Sequence, residues 1–188
     1  FRSEDGIWVF KSFETTRIFG VLQRIGFCYA LALPLIYFSN KRQLLWSSVV
    51  LLVFYWIILA CFGDLTLEGN AALKLDLNVL GASHMYKGEG IPFDPEGLLS
   101  SLPAVVNIIG GYLVGLYIRE NKIGYEQLAK ILLAGFALIA VGYIWHPTFP
   151  INKKIWTSSY VLLTIGLDCI ILGVIIYLSE LKTKTVSF

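Results

Sequence analysis

Five long apolar runs constrain the fold of this chain more than any other feature. Each is close to the roughly 20 residues that an α-helix needs to cross the hydrocarbon core of a bilayer. The runs are continuous, without the alternation of polar and apolar positions that is typical of membrane-spanning strands. The sequence therefore predicts an all-α, polytopic integral membrane helix bundle with helices over residues 18–38, 44–62, 95–118, 128–145 and 155–178.

Composition favours the same class of protein. Of the 188 residues, 56% are hydrophobic and 15% are charged, against roughly 25% charged residues in soluble domains. The net charge of +2 is too small to indicate a nucleic-acid partner, and the partner predicted instead is the lipid bilayer. Cys28, Cys61 and Cys169 lie singly in apolar runs, so we expect buried thiols and no metal site.

Basic residues in the connections between the runs indicate an orientation. If five helices alternate, three basic pairs fall on one side, which the positive-inside rule makes cytoplasmic: Lys41/Arg42, Arg119/Lys122 and Lys182/Lys184. Lys153 and Lys154 oppose this orientation. Under it, the loop over residues 63–94 is extracytoplasmic, together with the segment at Arg17 and residues 150–160. We therefore expect three polar segments to meet at one extracytoplasmic face.

The long polar loop ends at Asp94-Pro95-Glu96, where the third apolar run begins. Asp94 is suited to cap a helix, Pro95 fits the first helical position, and Glu96 places negative charge near the positive end of the helix dipole. The same carboxylates are suited to bind a cationic ligand and to accept a proton from it. Both interpretations remain open on the sequence alone.

Three sequence blocks carry a resemblance to a known family. The first contains His84-Met85-Tyr86 and, after a short gap, the residues from Asp94 to Ala104. It resembles the middle of the heparan-alpha-glucosaminide N-acetyltransferase family and its bacterial membrane acyltransferase relatives. The blocks Arg17–Gly26 and Pro150–Val161 are similar to the same family in the same order. The resemblance implies that residues 1–188 form one transmembrane acyltransferase-like segment, the central portion of a larger protein.

This resemblance implies an enzyme that transfers acetyl from acetyl-CoA, its co-substrate, to the amine of a glucosamine-type sugar at the extracytoplasmic face. The membrane is then a bacterial inner membrane, or a lysosomal-type membrane in a eukaryote. The implied partners are the amino-sugar substrate and the remaining transmembrane helices of the same protein, with a homo-oligomer left open. No residue here matches the catalytic histidine of the family, because the matched region starts after it.

On this interpretation His84, Asp94 and Glu96 are the candidate catalytic residues. A carboxylate in a partly dehydrated site can bind the ammonium of the acceptor and take its proton. A histidine can shuttle a proton near neutral pH, although a loop histidine such as His84 also fits a purely hydrogen-bonding role. Tyr86, in the same loop, is a candidate for substrate binding.

The candidate residues for CoA lie in the other two blocks. Arg24 offers a planar, always-charged fork for a phosphate or carboxylate, with Gln23 beside it, and the alternatives for Arg24 are lipid headgroups or a structural ion pair. Lys153 and Lys154 can bind phosphates as point charges or lie among headgroups. Helix contacts and interfacial anchoring are the alternatives for the remaining candidates, which are Asn152, Trp156 and Ser158.

Two other functions remain open on the sequence. Arg24 and the mid-helix Asp168 suit the pathway of a membrane sugar transporter or permease component without acyl transfer. Gly111 and Gly115, in Gly-x-x-x-Gly spacing, suit a non-catalytic scaffold that packs partner helices. For Asp168 we expect a structural hydrogen bond, and the alternatives are a partner in the remaining part of the protein or a role in a proton relay.

Overall fold

The computed structural model describes residues 2–4, 7–9 and 13–182. An antiparallel hairpin comes first, in which β1 (Arg2–Glu4) pairs with β2 (Ile7–Val9). The α-helices of the described part follow in order: α1 (Val21–Phe38), α2 (Lys41–Phe62), α3 (Ala71–Val79), α4 (Ser101–Glu120), α5 (Tyr125–Trp145) and α6 (Ser158–Ile176). Residues Tyr177–Leu181 extend α6 in π-helical geometry.

Within the described residues, every α-helix except α3 is long and apolar enough to cross a membrane. This confirms the polytopic helical fold that the apolar runs predict. Some boundaries differ: α2 begins at Lys41 and not at residue 44, because Asn40 and Gln43 form a capping box. The N–H of Gln43 donates to Asn40 Oδ1 at 3.0 Å, and the N–H of Asn40 donates to Gln43 Oε1 at 2.8 Å. Lys184, used for the orientation, lies outside the described residues.

The short helix α3 lies inside the predicted loop and is not apparent from the sequence. Asn70 begins it by accepting the N–H of Leu73 at 2.8 Å, while its Nδ2 donates to the carbonyls of Thr66 at 2.8 Å and Leu67 at 2.9 Å. With 9 residues, α3 is too short for a clear helical periodicity. Its first turn packs on the core of the loop end of the bundle, which stabilises a helix that would be marginal alone.

Helices α1, α4 and α6 begin at one end of the bundle, and α2 and α5 end there. Ser158 Oγ donates to the carbonyl of Leu52 at 2.7 Å, and the hydroxyl of Tyr55 donates to the carbonyl of Ile155. A buried cluster that includes Tyr55, Phe93 and Ile155 fills this end. The polar segments that connect the helices here are therefore brought together by the fold.

The three cysteines differ in exposure. Cys28 and Cys169 are buried, as predicted, whereas Cys61 is exposed, so the prediction of a buried thiol there is wrong. Cys61 lies in the last turn of α2 beside Phe62, which is also exposed. In a membrane helix an apolar run does not distinguish a lipid-facing position from a buried one, because both are apolar.

Helices α5 and α6 approach closely through two glycines. A Cβ at Gly166 would lie 2.6 Å from the carbonyl oxygen of Gly135, and a Cβ at Gly135 would lie 2.8 Å from that of Gly166. At Gly111 and Gly115, by contrast, a Cβ would meet no atom within 4 Å in the described structure. The Gly-x-x-x-Gly spacing therefore does not mark a helix contact within the described part of the chain.

We expect Gly166→Ala to lower the free energy of unfolding by about 1–3 kcal/mol, because the new methyl group meets the rigid backbone of α5. Gly115→Ala is the matched control and should be neutral or slightly stabilising, since alanine is the better helix former. Thermal unfolding of the full-length variants in one detergent measures both effects. Equal stability of the two variants would rule out close packing at Gly166.

Candidate functional site

Arg17, just before α1, lies at the centre of a cluster of charged side chains. Its Nε donates to Asp94 Oδ2 at 3.0 Å, and its Nη2 donates to Asp94 Oδ1 at 2.6 Å and to Glu96 Oε2 at 2.5 Å. Pairing with Asp94 raises the pKa of Arg17, which keeps the guanidinium charged. The side chain of Asp94 is 0% exposed and that of Glu96 is 20% exposed. One cation therefore compensates a buried and an accessible carboxylate.

His84 and Tyr86 hold the segment that carries Arg17. The N–H of Ile18 donates to the carbonyl of His84 at 3.1 Å, and His84 Nδ1 lies 2.9 Å from the carbonyl oxygen of Thr16. Because a carbonyl oxygen only accepts, Nδ1 carries the proton and Nε2 is the basic nitrogen of the neutral ring. The guanidinium of Arg17 lies 4.8 Å from the ring centroid of Tyr86, within the range of a cation–π contact.

Asp94 does not cap the third membrane helix, so that interpretation of the sequence is wrong. Helix α4 begins at Ser101, and the residues before it form turns in which the N–H of Gly97 donates to the carbonyl of Asp94 at 3.1 Å. The backbone N–H that donates to Asp94 Oδ1 is that of the nearby Glu96, at 3.2 Å, and not one in the first turn of α4. The carboxylate is directed to Arg17 because a bidentate ion pair compensates its burial better than neutral backbone amides do.

Arg24 of α1 forms hydrogen bonds to the turns between Asp94 and α4. Arg24 is only 5% exposed. Its guanidinium donates to the carbonyls of Pro95 at 3.1 Å and Ser100 at 3.0 Å. The guanidinium lies 3.9 Å from the ring centroid of Trp156, a cation–π contact in a site shielded from water. Trp156 has φ of 50°, a backbone conformation that costs energy for a non-glycine residue. The surrounding contacts therefore hold Trp156 in a strained position beneath Arg24.

A cavity of about 270 Å³ lies between α1, α4 and the start of α6. Apolar side chains form most of its wall, and Arg24, Glu96, Asn107 and Trp156 bring polar groups to it. The volume is near the lower end of the roughly 300–1,000 Å³ of small-molecule pockets. Because Glu96 both lines this cavity and pairs with Arg17, the cavity and the charged cluster form one candidate site.

Lys153 and Lys154 lie in the turn before Trp156, at the same end of the bundle as the cavity. Lys154 forms an ion pair with Glu89 of the long loop, and Lys153 is exposed. An exposed pair of this kind contributes little to stability, so both ammonium groups remain accessible to an anionic ligand. Their predicted binding of CoA phosphates stays a prediction.

Three other predicted ligand contacts, Asn152, Ser158 and Gln23, do not line the cavity. Asn152 Oδ1 accepts the N–H of Lys154 at 2.8 Å and shapes the turn, while the buried Ser158 donates to a carbonyl of α2. Gln23 is exposed and does not line the cavity. The ligand roles of these three residues stay predictions, and their observed contacts are with the protein itself.

Asp168 lies in the middle of α6 and is exposed. The expected structural hydrogen bond is not found among the described residues. Asp168 instead lines a small cavity of about 90 Å³ with Asn107, Gly110 and Gly111. Asp168 therefore lies where α6 faces α4.

Three residues of the site are not apparent from the sequence: Arg17, Asp76 and Asn107. Arg17 lies in one of the matched blocks, but its partner Asp94 is 77 positions away, a separation that no local pattern predicts. Asp76 lies on α3 and is 1% exposed, and its Oδ1 accepts the N–H of Leu98 at 3.0 Å. Burial raises the pKa of Asp76 to about 7. The side chain therefore joins α3 to the turn that carries Glu96.

The raised pKa of Asp76 makes the stability of this end dependent on pH. An acid whose pKa is higher in the folded state stabilises the fold fully below its unfolded pKa of about 4, and the contribution is lost as pH rises through about 7. Asp76→Asn removes the titration and keeps an oxygen for the N–H of Leu98. We expect the melting temperature of the wild type to fall more steeply than that of Asp76→Asn between pH 4 and pH 7. Parallel profiles would show that Asp76 does not titrate in this range.

No family model matches this chain. It is similar to heparan-alpha-glucosaminide N-acetyltransferase of Mus musculus, with 26% identity over 80% of this chain. The chain spans 31% of the length of that relative. The similarity supports the relationship suggested by the three sequence blocks and, together with the five apolar helices, fits an integral membrane acetyltransferase.

Proposed function

We propose that this chain forms part of an integral membrane enzyme that transfers acetyl from acetyl-CoA to the amine of a glucosamine-type sugar at the extracytoplasmic face. The observation that carries the proposal is the position of Glu96, which pairs with Arg17 at 2.5 Å and also lines the cavity. A partly exposed carboxylate at a cavity wall is suited to bind an ammonium group. The similarity to a membrane N-acetyltransferase supports acetyl transfer as the reaction.

Glu96 is the proposed base. It binds the ammonium of the acceptor and takes one proton, which leaves a lone pair on the nitrogen. The nitrogen attacks the carbonyl carbon of the thioester, the C–N bond forms and the C–S bond breaks. CoA leaves as a thiolate and takes the second proton of the nitrogen as the amide forms, and Glu96 releases the first proton to water. His84, whose Nε2 is the basic nitrogen, is a second candidate for accepting the first proton from the ammonium of the acceptor.

Asp94 and Tyr86 act on this base through Arg17. The side chain of Asp94 is 0% exposed and bonds Arg17 at two points, so it orients the guanidinium and does not meet the substrate. Arg17 in turn fixes the position of Glu96, because its Nη2 donates to Oε2 of that carboxylate. Asp94 is therefore proposed as a positioning residue, with Glu96 as the residue that contacts the amine.

The cationic side chains near Trp156 are the proposed contacts of the donor. Lys153 and Lys154 provide point charges for the phosphates of CoA. Arg24 contributes its charge to the cavity wall, while its N–H groups hold the carbonyls of Pro95 and Ser100. The thioester would then enter the cavity from the side on which these cations lie.

Release of free CoA tests the proposal. Purified full-length protein is incubated with acetyl-CoA and with glucosamine or a terminal glucosaminide, and the new thiol is titrated while the N-acetyl product is identified by mass. We expect both products to appear in equal amounts. Uptake of the sugar into proteoliposomes without release of CoA would contradict acetyl transfer and favour a transporter.

A further inference from the structure

Two buried polar atoms, on residues that line the candidate cavity, have no hydrogen-bond partner. They are Asn107 Oδ1 and Trp156 Nε1, and among the side chains that the structure describes no other buried nitrogen or oxygen is left unpaired. Both residues line the cavity next to Glu96. An unpaired buried polar atom is unfavourable, so two such atoms on residues of one cavity wall point to a ligand that pairs with both.

The two atoms have opposite hydrogen-bonding character. Thr164 Oγ1 donates to the carbonyl of Val161 at 2.9 Å, so toward Asn107, 3.0 Å away, it can only accept. This fixes the amide of Asn107 with Nδ2 toward Thr164 and leaves Oδ1 as an acceptor for a ligand. The indole nitrogen of Trp156 is always a donor. The cavity therefore offers one acceptor and one donor.

Both side chains are held in place without a ligand. Trp156 contacts the guanidinium of Arg24, which lies 3.9 Å from its ring centroid, and the ring of Tyr160, with centroids 5.1 Å apart. Asn107 is anchored by its bond to Thr164. A preorganised pair of this kind favours binding, because little side-chain freedom is lost when the ligand arrives.

The shape and lining of the cavity restrict the ligand further. Besides the polar groups, the wall is formed by Val21, Ile25, Ala104 and Ile108. A groove of about 530 Å³ adjoins the cavity and shares Tyr29, Asn107 and Ile108 with it. The two spaces together are mainly apolar, and they suit a slender chain that carries one donor and one acceptor. A secondary amide has this combination.

We infer that Asn107 and Trp156 bind a secondary amide in the pantetheine arm of acetyl-CoA, an inference that rests on the function proposed above. The amide N–H donates to Asn107 Oδ1, and the amide carbonyl accepts from Trp156 Nε1. The apolar wall contacts the methylene groups on either side. Acetyl-CoA is thereby positioned by its arm as well as by its phosphates, with the thioester directed into the cavity that Glu96 lines.

Binding measurements on the full-length protein in detergent test this assignment with two probes. CoA contains the pantetheine arm, and adenosine 3′,5′-bisphosphate lacks it. Asn107→Leu and Trp156→Phe each remove one hydrogen bond, and the phenyl ring keeps an aromatic face for Arg24. We expect each variant to bind CoA roughly five- to tenfold more weakly than the wild type and to bind the bisphosphate unchanged. Trp145→Phe, in a tryptophan that packs on Trp56 outside the cavity, is the control and should bind CoA like the wild type.

The outcomes separate this inference from the proposed function. Unchanged binding of CoA by both variants would overturn the inference, because water or a lipid chain would then account for the two atoms. Equal weakening for CoA and the bisphosphate would also overturn it, since the effect would then not depend on the arm. If the wild type itself does not bind CoA, the proposed function fails.

Discussion

Arg17→Ala is expected to lower the free energy of unfolding by about 3–5 kcal/mol, because it leaves the buried carboxylate of Asp94 without its bidentate partner. Few single substitutions have so large an effect. The same change frees Glu96 from its ion pair, so acetyl transfer should be lost as well. Chemical unfolding of the full-length protein in mixed micelles measures the stability.

Two further variants identify the cause of this loss. Arg42→Ala removes an exposed arginine at the start of α2 and should leave stability unchanged. Arg17→Ala combined with Asp94→Asn should be more stable than Arg17→Ala alone, because no buried charge remains uncompensated. If Arg17→Ala proved as stable as Arg42→Ala, the ion pair would not hold this end of the bundle together.

Glu96→Gln is expected to lower kcat for acetyl transfer by about 10²–10⁴-fold, the usual contribution of a positioned general base. The amide has nearly the shape of the carboxylate and can still meet Arg17 through its oxygen, so the fold should persist. The KM for acetyl-CoA should change little, since the donor contacts lie on other residues. Steady-state assays at several concentrations of donor and acceptor separate the two constants.

The matched control for the base is Glu120→Gln. Glu120 ends α4 at the opposite end of the bundle and pairs with Lys41. The variant Glu120→Gln should retain full activity, because neither Glu120 nor Lys41 lines the cavity. Activity of Glu96→Gln within a factor of about three of the wild type would assign the proton transfer to another group, of which His84 is the next candidate.

The helical architecture was predictable because bilayer thickness sets the length of each apolar run. The first residue of each helix was less predictable, since it depends on polar side chains that can either cap the helix or pair with another side chain. Asn40 caps α2, as expected for an asparagine before a helix. Asp94 does not cap a helix and pairs with Arg17. The helix α3 is not predictable from the sequence, because packing on its first turn stabilises it more than its own periodicity does.

The site was predictable as a set of segments and not as a set of contacts. Alternation of five helices places the blocks around Arg17, Asp94 and Trp156 at one end, and the structure brings them into contact there. The pairs themselves depend on tertiary packing between positions far apart in the chain. Arg24 illustrates the limit: its charge and depth predicted an anionic partner, yet its hydrogen bonds go to two backbone carbonyls.

A cryo-EM map of the full-length protein with bound CoA tests most directly whether these distant segments form one acetyl-transfer site. We expect density for the arm of CoA in the cavity between α1 and α4, with the sulfur on the side of Glu96 and the phosphates toward Lys153 and Lys154. Density for CoA at another place, with this cavity filled by lipid or by a further helix, would contradict the assignment of the site.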